Sequence, residues 1–116
     1  MKLRIKGNAI RYRLSKTDVE RFAAEGRVEE TINFAGQPLK YILQQNNDDA
    51  LSATYKDNVI TMYMPVDMKN EWVDTEKVGF NNTCGDLQLL IEKDFMCLDD
   101  VAEDQSDNFP NPLAKK

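Results

Sequence analysis

The chain has no histidine and only two cysteines, Cys84 and Cys97. The missing imidazole removes Ser-His-Asp and Cys-His nucleophile arrangements and most zinc sites, because each needs it as base or ligand. The two thiols lie thirteen positions apart with no Cys-x-x-Cys pair, so they form neither a redox nor a zinc motif. A disulfide between them is geometrically open, but a reducing compartment disfavours it. No apolar run reaches the roughly eighteen residues of a membrane helix. The N-terminus lacks a signal-peptide core, since Lys and Arg recur there at every second position. The expectation is a cytoplasmic protein without a membrane partner.

The 116 residues suffice for one domain, and 41% apolar with 30% charged residues is ordinary globular usage. A net charge of −5 argues against a general nucleic-acid binder, whose usual footprint is basic. That charge is sorted along the chain. Residues 1–14 carry five bases (Lys2, Arg4, Lys6, Arg11 and Arg13) and no acid, whereas Asp94, Asp99, Asp100, Glu103, Asp104 and Asp107 occupy a stretch with no base until Lys115.

The basic segment also has the clearest strand pattern. Leu3 and Ile5 alternate with Lys2, Arg4 and Lys6, and after Gly7-Asn8 the phase flips so that Ile10, Tyr12 and Leu14 alternate with Arg11 and Arg13. A hairpin or a bulged strand explains the flip. In the hairpin reading Gly7-Asn8 is a two-residue loop, Ile5 faces Ile10, Leu3 faces Tyr12, and the other face pairs Arg4 with Arg11 and Lys2 with Arg13. Like charges directly opposite are destabilising unless something negative lies over them.

Further along, Ser15 with Asp18 and Thr17 with Glu20 offer overlapping capping boxes for a short helix that Gly26 stops. Val28, Ile32 and Phe34 alternate as a strand, with Glu30 on the apolar parity as an edge position would allow. A turn at Ala35-Gly36-Gln37-Pro38 leads to a partner strand through Leu39, Tyr41 and Leu43. Asn46 to Asp49 reads as a loop without calcium-binding spacing. A second hairpin joins Leu51, Ala53 and Tyr55 to the segment Val59 to Met64. Asp67 is positioned to cap a second helix containing Trp72, and a last hairpin turns at Gly85 between Val78-Phe80 and Leu87-Leu89-Ile91. Periodicity fails from Asp94.

This order, rich in hairpins and without a repeated strand-helix-strand rhythm, predicts an α+β protein. Its sheet is expected to be a strongly curled antiparallel sheet or partly closed β-barrel of six to eight strands with two short helices, an open dimerising sheet being the competitor. The expected organisation is a domain over residues 1–98 and an acidic, Pro-containing tail over 99–116 docked on it.

The sequences Lys-Leu-Arg-Ile-Lys-Gly-Asn-Ala-Ile-Arg-Tyr-Arg-Leu at residues 2–14, Val78-Gly79-Phe80, Glu92 to Leu98 and Glu103 to Pro112 carry a resemblance. The chain resembles, over essentially its full length, an uncharacterised family of small bacterial proteins without an assigned activity. The resemblance implies a grouping and no mechanism.

Two constellations can carry chemistry. In the tail, Asp100, Glu103, Asp104 and Asp107 have spacings that on helical turns would gather carboxylates for Mg²⁺ or Ca²⁺. The blander readings are a solvated run, or a tail folded onto the basic face with Phe95, Leu98 and Phe109 as apolar anchors. On the basic face, Lys2, Arg4, Lys6, Arg11 and Arg13 either meet that tail or hold a phosphate or carboxylate through forked donors. An inward-facing cationic tunnel is the poorer alternative, because Leu3, Ile5, Ile10 and Tyr12 would then face water. Cys97 and Cys84 read as inert, Trp72 as core or lid, and Met62, Met64 and Met68 as core filling. Glu29 and Glu30 point to opposite faces and make no catalytic pair.

The sequence therefore favours a non-enzymatic binding or interaction module without a resident cofactor, whose basic strand meets its own tail or a protein partner. A phosphate-ester or nucleotide-processing enzyme using Mg²⁺, and a structural homodimer or larger homo-oligomer without ligand, are the alternatives.

Overall fold

A computed structural model describes residues 1–94 and 109. The chain begins with β1 (Lys2–Lys6) and β2 (Ala9–Leu14), followed by α1 (Lys16–Glu25), β3 (Arg27–Phe34) and β4 (Gln37–Asn46). It continues through β5 (Ser52–Lys56), β6 (Val59–Pro65), α2 (Val66–Asp74), β7 (Gly79–Cys84) and β8 (Leu87–Lys93). Among the described residues no helix is long and apolar enough to cross a membrane.

The first hairpin forms in the register that its alternation demands: Lys2 faces Arg13, Leu3 Tyr12, Arg4 Arg11 and Ile5 Ile10. Gly7 at its tip has φ 55°, a left-handed conformation that costs glycine no Cβ clash. Ser15 caps α1 by accepting from the Asp18 backbone N–H, and the Asp18 carboxylate accepts in return from the Ser15 N–H. Gly26 ends the helix at φ 72°, donating to the Phe22 carbonyl at 2.8 Å. The second helix departs from expectation. Its N-cap is Pro65, with no side-chain cap bond, and Asp67 lies inside the first turn. Proline fixes the entry dihedral, so the helix starts two residues earlier than a capping Asp67 would set it.

Among the described residues the strands form two four-stranded sheets, β1-β2-β8-β7 and β3-β4-β6-β5, in place of one curled sheet or a barrel. All four hairpins are antiparallel, and in each sheet a parallel contact, β2 with β8 or β4 with β6, joins two of them. Closure is unnecessary because each sheet covers the other's apolar face. Tyr12, Leu14, Leu43, Met62, Met64, Leu89 and Ile91 are fully buried between them. The Tyr12 hydroxyl donates across the gap to the Ile60 carbonyl at 3.1 Å, and its ring meets Tyr41 edge-on with centroids 5.9 Å apart. Phe22 of α1 and Trp72 of α2 meet edge-on at 6.3 Å, closing one end of the core. Trp72 is wholly buried and donates Nε1–H to the Val78 carbonyl at 2.9 Å, so it is core and not a lid.

The strand orders reveal an internal repeat. Strands β1-β2, helix α1 and strands β3-β4 form one ββαββ unit, and β5-β6, α2 and β7-β8 form a second. Exchanging the units exchanges the sheets, since each sheet takes the first hairpin of one unit and the second hairpin of the other. The register repeats as well: Tyr12 beside Ile91 matches Met62 beside Leu43. Asn8 and Asn58 occupy equivalent turns, and their carbonyls accept from Gln88 N–H at 2.9 Å and Lys40 N–H at 3.0 Å.

Candidate functional site

Strand alternation fixes which side chains of the β1-β2-β8-β7 sheet point away from the core. Three rows cross its outer face in register. One runs Lys2, Arg13, Glu92, Gly79; the next Arg4, Arg11, Leu90, Asn81; the third Lys6, Ala9, Gln88, Thr83. All five basic residues expected to share a face do so, with Tyr12 and Leu14 buried and Leu3 and Ile10 half-buried on the other side, so there is no inward cationic tunnel.

The only carboxylate in these rows is Glu92. Its Oε1 lies 3.6 Å from both Arg11 Nε and Arg13 Nε, one negative charge between two positive ones. Arg11 Nε is shielded from solvent and has no hydrogen-bond partner among the described residues. Arg4 and Lys6 meet no carboxylate among the described residues. A cleft of about 500 Å³ opens at this point, lined by Arg4, Lys6, Arg11, Gln88 and Leu90 along with the turn at Gly7. A smaller depression of about 210 Å³ continues from Gln88 and Leu90 to Asn81 and Thr83.

At the opposite end of the rows Lys2 pairs with Asp94 at 2.9 Å. The Asp94 N–H donates to the Leu14 carbonyl, and the Phe109 N–H donates to the Asp94 carbonyl, both at 2.8 Å. The Phe109 ring packs against the core and lies 5.4 Å from Lys93 Nζ. Lys93 is buried, which pushes its ammonium below the usual lysine range, against the field of Glu76. It donates to the Thr75 carbonyl at the end of α2, where a cation suits the helix terminus. Of the residues expected in the tail, Phe109 therefore docks on the domain. Phe95, Leu98, Asp100, Glu103, Asp104 and Asp107 lie outside the described residues. Among the described residues no cluster of three or more carboxylate or thiol ligands is present.

The acidic edge position expected at Glu30 has its own partner. The Met1 α-ammonium is buried between Asp18 at 2.7 Å and Glu30 at 2.9 Å, and the Tyr41 hydroxyl donates to the Met1 carbonyl at 2.8 Å. Burial lowers the ammonium's affinity for its proton, but hydrogen bonds to the two carboxylates outweigh this and raise its pKa above the ordinary 8.0. Glu29, on the outer face, pairs instead with Arg27 at 3.1 Å and Lys40 at 3.5 Å.

Sequence reasoning missed Glu92, Leu90, Gln88, Asn81 and Thr83, because only the parallel pairing of β2 with β8 brings them beside the basic hairpin. A signal was present. Lys6-Gly7-Asn8-Ala9-Ile10 recurs fifty residues later as Lys56-Asp57-Asn58-Val59-Ile60. Finding that repeat would have shown two ββαββ units, each with a hairpin on either side of its helix.

Two facing sheets built from crossed ββαββ units define the class: a duplicated α+β protein, one of whose sheets has a basic outer face. The chain belongs to the family of unknown function DUF7009, whose model matches residues 1–113. No curated protein and no solved structure matches it.

Proposed function

We propose that this protein is a small binding module that takes an anionic partner on the outer face of the β1-β2-β8-β7 sheet. One observation carries the reading: Arg4 stands directly across from Arg11 at the cleft, where like charges cost stability and, among the described residues, only Glu92 offsets them. An anion held by the two guanidinium forks removes that cost and gains charge-assisted hydrogen bonds. Nucleic acid is a poor fit. No outward position of this sheet among the described residues is aromatic, so bases have nothing to stack on. A cytoplasmic setting fits this reading.

A second reading concerns the tail and rests on Phe109 and the Lys2–Asp94 pair. Residues 99–116 dock on the 1–98 domain and shield the Lys2 end of the basic face, leaving the Arg4–Arg11 cleft for a partner. Partly exposed ion pairs contribute no more than about 1 kcal/mol, so Phe109 supplies most of the holding.

The test is the thermal unfolding midpoint of the full chain with phosphate, pyrophosphate, Mg²⁺ and Ca²⁺, alongside the Arg4→Ala/Arg11→Ala variant. A ligand at a hundred times its Kd stabilises by about 2.7 kcal/mol. The reading requires an anion-induced rise that the double variant abolishes; no rise with any anion overturns it. A rise appearing only with anion and metal together favours the metal-dependent enzyme. Truncation after Leu98 is expected to lower stability and raise anion affinity; if neither changes, the tail reading fails.

A further inference from the structure

We propose that the ligand of this face is a sugar phosphate, with its phosphate held by Arg4 and Arg11 and its ring lying over Leu90 towards Asn81, Thr83 and Gln88. This rests on the anion-binding reading above and adds the rest of the molecule. The row Arg4, Arg11, Leu90, Asn81 changes character in order, from paired cations through one apolar side chain to a primary amide. The neighbouring row ends in the same way, with Gln88 beside Thr83. The cleft at the arginines and the depression at Asn81 and Thr83 share Gln88 and Leu90, so they form one band across the sheet.

The band's length and chemistry limit what fits. Inter-strand steps of about 4.8 Å put Asn81 roughly 10 Å from Arg11, the reach of a phosphate joined to one sugar ring. Inorganic phosphate fills only the cationic half. A nucleotide would place its base where no outward side chain among the described residues is aromatic and able to stack on it. An acidic peptide would set carboxylates against amides and a hydroxyl instead of cations. A sugar ring meets each remaining feature: its C–H face covers Leu90, and its hydroxyls donate to and accept from Asn81, Gln88 and Thr83. Asn81 and Thr83 are exposed in strand β7, an edge of the sheet, so replacing them does not disturb the core.

Isothermal titration of the full chain at fixed ionic strength, with glucose 6-phosphate, inorganic phosphate, glucose and AMP as probes, tests the assignment. Glucose 6-phosphate is expected to bind about tenfold tighter than phosphate, the equivalent of about 1.4 kcal/mol. Asn81→Ala should erase that advantage and leave phosphate binding unchanged, while Arg11→Ala should weaken both. Equal affinity for glucose 6-phosphate and phosphate, in the native chain, overturns the sugar assignment and leaves the anion site standing. Tighter binding of AMP than of glucose 6-phosphate overturns it in favour of a base-reading site. If no probe binds, both readings fall.

Discussion

The two ββαββ units share a register and differ in their surfaces. At inward positions the exchange is conservative in kind: Tyr12 and Leu14 in one unit answer to Met62 and Met64 in the other, Leu43 to Ile91, and Phe22 to Trp72, all fully buried. At outward positions little is kept beyond Lys6 with Lys56 and Thr83 with Thr31. Arg4, Arg11 and Arg13 correspond to Thr54, Thr61 and Tyr63, and Asn81 corresponds to Glu29. Packing constrains one parity of each strand and leaves the other free, so one copy of a single architecture carries a cationic face and the other a mixed one.

The comparison is broken hardest at the helix contact. Trp72→Ala and Phe22→Ala should each cost about 3–5 kcal/mol in urea unfolding, because both open a cavity in a closed core. The Trp72 variant should be the worse of the two, since it also removes the indole hydrogen bond to the Val78 carbonyl, leaving that group only the Lys93 N–H. Next come Gly79 and Arg27, equivalent positions opposite Glu92 and Gln44. A Cβ on Gly79 would sit 1.8 Å from the Ile91 carbonyl oxygen, so Gly79→Ala should cost about 1–3 kcal/mol or more, while Arg27→Ala on the exposed edge stays within about 0.5 kcal/mol. The helix starts come third. Ser15→Ala removes a reciprocal cap and should cost about 1 kcal/mol, whereas α2 has no side-chain cap to lose.

The smallest effect depends on pH. Glu30 and Asn82 are equivalent, yet Glu30 holds the Met1 ammonium while Asn82 Nδ2 donates to the Leu51 carbonyl at 2.8 Å. The ammonium's pKa is raised on folding, so its stabilisation is complete below about pH 8 and fades as pH climbs through the folded value. Unfolding free energies at pH 7 and pH 10 should show this loss. The Asp18→Asn/Glu30→Gln double variant should remove the Met1 share of it, and Asn82→Ala should leave the pH dependence intact.

Much of this was legible locally. The first hairpin's register followed from the phase flip at Gly7-Asn8, α1 from the Ser15–Asp18 box and Gly26, and the edge placement of β3 from Glu30 on its apolar parity. Each depends on residues close in sequence. What escaped was the partner of each hairpin. Alternation states that a strand has an apolar side but not which distant strand lies beside it, and a barrel satisfies the same alternation as two crossed sheets. The candidate site inherits that asymmetry: its cations were readable from residues 2–13, whereas Glu92, Leu90 and Asn81 were not.

The crossing also has a consequence in time. Arg11 lies beside Leu90, seventy-nine positions later, so the basic hairpin has no β8 beside it until nearly the whole described chain exists. Neither sheet can be completed by one unit, and the first unit to leave the ribosome must wait with an apolar face uncovered. Such long-range closure makes for slow folding. It also means that the cation row and its amide end come together only once β7 and β8 are made, so a prematurely terminated product would carry the arginines without the rest of that face.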